Sequence, residues 1–358
     1  MIVISKMEIT MKKIGYAVLG LGIGMAHIEA VLKSENAELV AVCDIDEGRL
    51  AQAKEMCPQV RAYTDFEQLI ADADVDIISI CLPSGMHADY AVRAMESGKH
   101  VLVEKPIDIT VEMALEIEKA RVRTGMKAGI VHQNRYNFNM YPIKEAVDGG
   151  KLGKIFLGTF AVKWYRDQSY YDRGGWRGTW DMDGGGSLIN QAIHTVDLMQ
   201  WLMGDVESVT STMNIYNHKI ETEDFTASLI KFKSGASATF VSTTCAYPGI
   251  STEIMLYGTD GSVEADGDMI RSWKFKGVDG EPDEDSEENM LARYGKGNIF
   301  ASKSESGALW GHDFVVEDMI LAVKEGRDPS LTPLEAVKCL RIVEAIYESA
   351  KTGKTVEI

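Results

Sequence analysis

Ile14-Gly-Tyr-Ala-Val-Leu19-Gly20-Leu21-Gly22-Ile23-Gly24-Met25 is the stretch on which the fold turns. Its first six residues form an apolar run of the kind that makes a buried strand, and the glycines after it permit a tight turn. A helix opening at that turn would present its N-terminal N–H groups to a pyrophosphate, with no side chain at Gly20 or Gly22 to keep the phosphates away. The pattern is imperfect: the third glycine of G-x-G-x-x-G falls on Met25, and Gly24 comes one place early, as in a turn shortened by one residue. Gly20, Leu21, Gly22, Ile23, Gly24 and Met25 are the expected cofactor-binding turn. Asp44 lies about 20 residues further on, at the end of the next apolar run, where a carboxylate can accept hydrogen bonds from ribose hydroxyls. That carboxylate would repel a 2′-phosphate and no arginine directly follows it, so NAD is expected rather than NADP. The other reading of Asp44 is a cap for the helix expected over 47–56.

The alternation continues to residue 133. Short apolar runs at Leu39–Cys43, Ile77–Leu82, Val101–Val103 and Ala128–Val131 read as parallel strands. Arg49–Met56, Asp89–Ser97 and Val111–Arg123 read as the helices between them, with Thr110 placed to cap the last and Gly125 to stop it. Strand–helix alternation at this spacing predicts a doubly wound α/β sheet. Beyond Tyr136 the pattern shifts to β-branched alternation at Ile155–Tyr165, Ser208–Tyr216, Phe225–Lys233, Ala236–Thr244 and Thr252–Tyr257, with helices over Pro142–Val147, Leu188–Met203 and Leu334–Ala350. The expected division is a dinucleotide-binding domain over 1–133, of which 1–11 is a disordered leader, and a substrate-binding α+β domain over 134–358. The second domain would be built on a large, mostly antiparallel open sheet and closed by a helix over 334–351. The acidic stretch Asp279–Glu288 lacks apolar periodicity and is expected to be a solvated loop.

Composition narrows the partners. With 54 acidic against 37 basic residues, a net charge of −17 opposes binding to nucleic acid or to an anionic membrane, while leaving room for a local basic pocket. Cys43, Cys57, Cys81, Cys245 and Cys339 are odd in number and contain no C-x-x-C pair, which fits neither a disulfide framework nor a zinc site and points to a reducing cytoplasm. No apolar run approaches the length of a membrane span.

Two further motifs carry chemistry. Glu104-Lys105-Pro106 follows the run at Val101–Val103, and the carboxyl ends of parallel strands are where ligands bind in open α/β sheets. A lysine there is also an ordinary residue of a surface loop. The proline, however, restricts the backbone of Lys105 and permits a cis bond. The second motif is Gly184-Gly185-Gly186-Ser-Leu-Ile-Asn190-Gln191-Ala-Ile-His194-Thr-Val-Asp197. On a helix Asn190, Gln191 and Asp197 share one face with His194. A core or capping histidine is one reading. Four polar groups on an otherwise apolar helix are costly to bury without a partner, and a substrate alcohol would be such a partner.

Together with Ile80-Cys-Leu82-Pro83-Ser-Gly-Met-His87, Gly98-Lys-His-Val-Leu-Val-Glu104-Lys105-Pro106 and Ala345-Ile-Tyr-Glu-Ser-Ala-Lys-Thr-Gly353, these motifs give the chain an end-to-end resemblance to the Gfo/Idh/MocA family of nicotinamide-dependent sugar and polyol oxidoreductases. The resemblance implies a Rossmann first domain and a second domain whose open sheet forms the subunit contact of a homodimer or homotetramer. It also implies catalytic roles for Lys105 and His194, and places Leu82, Pro83, His87, Glu104, Gln133, Trp176 and Arg177 near the cofactor. Many relatives carry an aspartate where this chain has Asn190. Asn190 cannot act as a base, which leaves the proton work to His194 with Lys105. A subset of the family that includes sugar-nucleotide 3-dehydrogenases resembles this chain in carrying Asn-Gln at these positions.

Alcohol oxidation needs a base of near-neutral pKa for the hydroxyl proton, which histidine supplies, and a cation beside the developing alkoxide, which Lys105 supplies. Asn190 and Gln191 are expected to orient substrate hydroxyls. Asp197 is expected either to hold the imidazole in one tautomer or to cap a neighbouring structure. Trp164, Tyr165, Tyr170, Tyr171, Trp176 and Trp180, interleaved with Arg166, Arg173 and Arg177, crowd the segment before this helix. Ring faces beside hydrogen-bonding groups suit a pyranose, with Tyr165 and Trp180 as substrate-binding candidates; core packing is the competing reading. The expected function is NAD-dependent hydride transfer from a secondary alcohol of a sugar, glycoside or polyol, with pyranose C3 a candidate position. The alternatives are a redox-neutral glycosidase, lyase or epimerase with retained NAD, and a non-catalytic NAD-binding regulator or sensor.

Overall fold

The computed structural model describes residues 12–276, 286–295 and 311–358. The leader expected over 1–11 and residues 279–285 of the acidic stretch lie outside them. The last three residues of that stretch depart from the expected loop: Ser286 caps a helix over Glu287–Tyr294 by accepting from the Asn289 N–H.

The first half forms a six-stranded parallel sheet of β1 (Ile14–Leu19), β2 (Ala37–Cys43), β3 (Arg61–Tyr63), β4 (Ile77–Ile80), β5 (His100–Val103) and β6 (Ala128–Ile130). The order is β3-β2-β1-β4-β5-β6, so the direction of winding reverses between β1 and β4 and opens a crevice at their carboxyl ends. The helix Gly24–Lys33 begins where the turn predicts. A Cβ on Gly24 would lie 2.7 Å from Val18 Cγ1, so this glycine lets the helix pack closely on β1 despite Met25 standing at the third motif position. Thr110 caps the helix Val111–Thr124 through the Met113 N–H, and Gly125 ends it with φ +72°. β3 escaped notice because three residues carry no readable pattern.

The second half forms an eight-stranded sheet of β7 (Ile155–Lys163), β8 (Val206–Asn214), β9 (Phe225–Phe232), β10 (Ser237–Thr243), β11 (Ser251–Gly258), β12 (Gly261–Asp266), β13 (Met269–Phe275) and β14 (Val356–Glu357), in the order β13-β12-β11-β7-β10-β9-β8-β14. Every pairing is antiparallel except β7 with β10. Its inner face buries Phe160, Ile230, Phe232 and Phe240 against the helices Ile193–Met203 and Pro333–Thr352. The expected single helix over Leu188–Met203 is two pieces, a π turn over Ser187–Gln191 and the α-helix from Ile193.

One helix crosses the expected division at residue 133. His312–Glu325 returns to the first sheet, where Val315, Val316, Met319 and Ile320 join the cluster of Tyr16, Val18, Ile28 and Val31. Lys33 pairs with Asp313 at 2.7 Å, and the Asn36 amide donates to Glu317 at 2.7 Å. The first core is thus completed by a segment that pairs with residues 280 positions before it, which no local pattern announces.

Candidate active site

A cleft of about 1040 Å³ opens at the carboxyl ends of β1, β4 and β5 and is walled on its far side by residues between Trp164 and His194. Its volume is at the upper end for ligand pockets, roughly 300–1,000 Å³. Gly20, Gly22 and Ile23 line one end. Gly20 has φ +85°, and a Cβ there would lie 2.5 Å from the Cys81 carbonyl oxygen, whereas a Cβ on Gly22 would meet nothing closer than 4.0 Å. Gly20 therefore satisfies the turn, and Gly22 leaves open space for a ligand. The helix Gly24–Lys33 has no side-chain cap, and its positive N-terminal end follows directly on Gly22 and Ile23, which line the cleft. This end of the cleft fits a pyrophosphate.

Asp44 also lines the cleft, and its carboxylate braces the turn: Oδ2 accepts the Leu21 N–H at 2.6 Å and Oδ1 the Asp46 N–H at 2.8 Å. The cap of the helix Glu47–Met56 is Asp46, not Asp44. Arg49, five residues after Asp44, reaches the same end of the cleft, but it lies between Asp44 at 3.5 Å and Asp46 at 3.8 Å, whose charges offset it. Leu21, Gly24 and Met25 do not line the cleft; Leu21 is buried and Met25 packs on the core.

Leu82, Pro83, Glu104, Lys105 and Gln133 continue the wall. His87 does not. It is buried behind the wall, its ring nitrogens 2.7 Å from the Pro106 carbonyl and 2.8 Å from the Leu82 carbonyl, where it ties together the two loops that carry Pro83 and Lys105. Glu104 is likewise buried. Its Oε1 meets His27 Nε2 at 3.0 Å and His312 Nε2 at 3.1 Å, and its Oε2 accepts the Lys105 N–H at 3.0 Å. Burial alone would raise the Glu104 pKa, but hydrogen bonds from the two histidines hold it well below the usual carboxylate range. His312, which also lines the cleft, carries no signal in the sequence because it arrives on the distant returning helix.

The cleft brings Lys105, Asn190, Gln191 and His194 together. Lys105 Nζ donates to the Asn190 backbone carbonyl at 3.2 Å, across a cis Lys105–Pro106 loop. Burial lowers the Lys105 pKa, against the opposing pull of Glu104 and Asp183. Burial, then the Lys105 cation and His132, hold His194 well below the ordinary imidazole value, and its Nδ1 has no hydrogen-bond partner. His194 is thus a neutral imidazole at neutral pH. Asp197 does not hold it. Both Asp197 oxygens are taken by Arg135, at 2.7 and 2.6 Å, and neither residue lines the cleft.

Two buried carboxylates that belong to none of the sequence motifs, Glu223 and Asp183, suspend this segment. Glu223 accepts from the N–H groups of Gly186, Ser187 and Leu188 and from the Tyr347 hydroxyl, which anchors the start of the π turn to the C-terminal helix. A Cβ on Gly186 would lie 1.9 Å from the Glu223 carbonyl oxygen, so only glycine permits that approach. Burial pushes Glu223 up to about 7. Asp183 accepts from the Gly178 N–H at 2.8 Å and from the Asn190 side-chain amide, and burial pushes it up to about 6.

On the far wall Trp164, Tyr170, Trp176, Arg166, Arg173 and Arg177 face the cleft. Tyr165 and Trp180, the expected substrate contacts, do not. Tyr165 follows Trp164 in an extended segment that bridges to Cys245, and successive side chains there point to opposite faces. Trp180 turns outward, its Nε1 donating to the Glu221 carbonyl at 3.1 Å and its ring packed between Tyr347 and Lys351. The guanidinium of Arg177 lies 4.9 Å from the Tyr170 ring and that of Arg166 lies 5.4 Å from the same ring.

Residues 14–132 match the family model of an oxidoreductase family with an NAD-binding Rossmann fold, and residues 142–264 match that of the GFO/IDH/MocA C-terminal domain. Among solved structures, the WlbA dehydrogenase from Chromobacterium violaceum, in complex with NADH and UDP-GlcNAcA, is 33% identical with a TM-score of 0.86, covering 98% of this chain and 97% of that one. The WlbA dehydrogenase from Bordetella pertussis, with the same two ligands, is 30% identical with a TM-score of 0.85, covering 97% of this chain and 99% of that one. The 1-carboxy-3-chloro-3,4-dihydroxycyclo hexa-1,5-diene dehydrogenase of Comamonas testosteroni is 32% identical over 224 residues, which span 62% of this chain but only 55% of that protein. With parallel and antiparallel sheets in the matched regions and a glycine turn fitted to a dinucleotide, the chain belongs to the GFO/IDH/MocA family of NAD-binding oxidoreductases.

Proposed function

We propose that this protein oxidises a secondary hydroxyl of an anionic sugar, with NAD as cofactor and Lys105 and His194 as the acid–base pair. Bound NAD supplies the hydride acceptor. The residues that would hold it are Gly20, Gly22, Ile23 and Asp44 at the pyrophosphate and ribose end, with Leu82, Pro83, Glu104 and Gln133 along the wall. Neutral His194 takes the hydroxyl proton, and the Lys105 cation stabilises the developing alkoxide. Asn190 and Gln191 orient the neighbouring hydroxyls.

The observation that carries the substrate class is a concentration of unpaired positive charge. In a chain of net charge −17, Arg166, Arg173 and Arg177 face one cleft, and none forms an ion pair with a carboxylate among the described residues. Asp167 and Asp183 act on Arg173 and Arg177 only at longer range. Guanidinium groups beside the aromatic faces of Trp164, Tyr170 and Trp176 suit a pyranose bearing a carboxylate or phosphate. The ligand in both WlbA complexes, UDP-GlcNAcA, and the substrate named for the Comamonas enzyme, a 1-carboxy compound, agree with that chemistry.

Of the outward-facing apolar residues of the eight-stranded sheet, Leu157, Val241 and Met255 are half-buried and Leu229 is exposed, which supports that face as the contact of a homodimer or homotetramer. Light scattering on the purified protein tests this. The function is tested by following NADH absorbance with NAD and a panel of sugar nucleotides, uronates, hexoses and inositols. Sustained NADH formation is expected with an anionic sugar. A single equivalent per subunit would indicate transient oxidation with retained NAD, and NADH binding with no turnover of any sugar would indicate a sensor.

A further inference from the structure

We propose that Asp183 is a positioning residue for the oxidation: it fixes which end of the Asn190 side-chain amide faces the substrate. The inference rests on the alcohol-oxidising reading above. The oxygen and NH₂ of an amide are nearly interchangeable in shape, so its partners decide how it points. Asp183 is 1% exposed and, as a carboxylate, only accepts. Its Oδ2 is occupied by the Gly178 N–H at 2.8 Å and its Oδ1 by the Asn190 Nδ2. That turns the Asn190 NH₂ back into the protein and Oδ1 forward, where the Tyr170 hydroxyl donates to it at 3.2 Å and Gln191 Nε2 at 2.6 Å. Gln191 Nε2 also lies 2.7 Å from the Tyr170 hydroxyl, which closes a ring of three cleft residues keyed to one acceptor. The Asn190 backbone carbonyl meanwhile receives Lys105 Nζ, so the residue is held at both ends. The charged groups acting on Asp183 are Lys105 and Arg177, both of which favour its ionised form. A substrate hydroxyl entering beside Lys105 therefore meets a carbonyl acceptor at Asn190 and can donate to it in place of the Tyr170 hydroxyl, the longer of the two bonds that Oδ1 accepts.

The variant D183N tests this. One of its two buried acceptor positions becomes an NH₂, so either the Gly178 N–H or the Asn190 amide must face a donor, and rotation of the Asn190 amide relieves the conflict. We expect kcat to fall by roughly 10- to 100-fold, the size of effect that follows from misplacing a reacting group, with KM and NADH affinity unchanged. A kcat equal to wild type, or a loss matched by an equal loss of NADH affinity, would overturn the proposal. Should D183N fail to fold, Tyr170→Phe removes a donor to Asn190 Oδ1 in an otherwise intact site, and an unchanged kcat in that variant would likewise overturn it. A readout independent of turnover separates this claim from the functional one. In wild-type protein the Asn190 side-chain NH₂ resonances, assigned by their loss in N190D, should shift between pH about 5 and about 7 as Asp183 titrates. Resonances that stay fixed over that range would overturn the positioning role even if the enzyme is active.

Discussion

The cofactor end of the cleft, around Gly20–Ile23, is mostly backbone, whereas the wall facing it, from Trp164 to His194 together with the Lys105 ammonium that reaches across to Asn190, is mostly side chain. The first works by leaving groups out: a turn that tolerates no Cβ at Gly20 and open space at Gly22. The second works by bringing groups together: a lysine, a histidine and an amide held by buried carboxylates, with three arginines beside them. Damage to the first wall should therefore appear as lost cofactor affinity, and damage to the second as lost turnover or lost substrate selectivity.

The largest effect is expected on the second wall. Lys105→Ala removes the cation at the reacting hydroxyl and should lower kcat by about 10²- to 10⁴-fold while leaving NADH binding intact, measured by steady-state kinetics and fluorescence titration. On the first wall, Gly20→Ala forces a Cβ to within 2.5 Å of the Cys81 carbonyl at φ +85°. Strain of about 1–3 kcal/mol should weaken NADH binding or lower Tm, with kcat at saturating NAD close to wild type. If Gly20→Ala instead lowered kcat alone, the contrast between the walls would fail.

Smaller effects sharpen the second wall further. Arg166→Gln and Arg173→Gln should each raise KM for an anionic sugar by roughly tenfold, the worth of one charge-assisted hydrogen bond, and leave KM for an uncharged sugar unchanged. The smallest expected effect is in the pH profile. Burial and Lys105 hold His194 well below the ordinary imidazole value, so protonation of His194 should not set the acid limb of kcat/KM. A decline centred near pH 6 is expected instead, where Asp183 gains its proton and the hydrogen bonds on the Asn190 amide weaken, and D183N should lack that component.

The same contrast explains what the amino-acid sequence revealed. Backbone-built features are local, so β1, its turn and the helix Gly24–Lys33 could be read directly, as could the capped helix Val111–Thr124. Features built from distant side chains could not. Trp180 and Tyr165 lie among cleft residues in sequence but face away from the cleft, because the direction of a side chain depends on strand alternation and on packing against Tyr347. Asp197 was placed on the polar face with His194, but Arg135, 62 residues away, claims it. His87 belongs to the wall motif yet sits behind the wall. His312 reaches Glu104 across 208 residues, and Glu223 reaches the Gly186 turn from the start of β9. β12 offers only Val263 and the small Ala265 beside the charged Glu264 and Asp266, and in β13 the buried Ile270 and Trp273 stand three residues apart, so neither strand shows a clear alternation. Asp183 carried one usable signal: an acidic residue set directly before three glycines and the apolar start of the helix motif.

The most direct test is a matched pair of substrates: a nucleotide-linked uronate and the same sugar nucleotide without the carboxylate, each mixed with NAD and followed by NADH absorbance. Sustained NADH formation is expected with the uronate, at a kcat/KM roughly tenfold or more above the counterpart that lacks the carboxylate. Equal kcat/KM for the two, or NADH that stops at one equivalent per subunit, would contradict an arginine-read, NAD-dependent dehydrogenase.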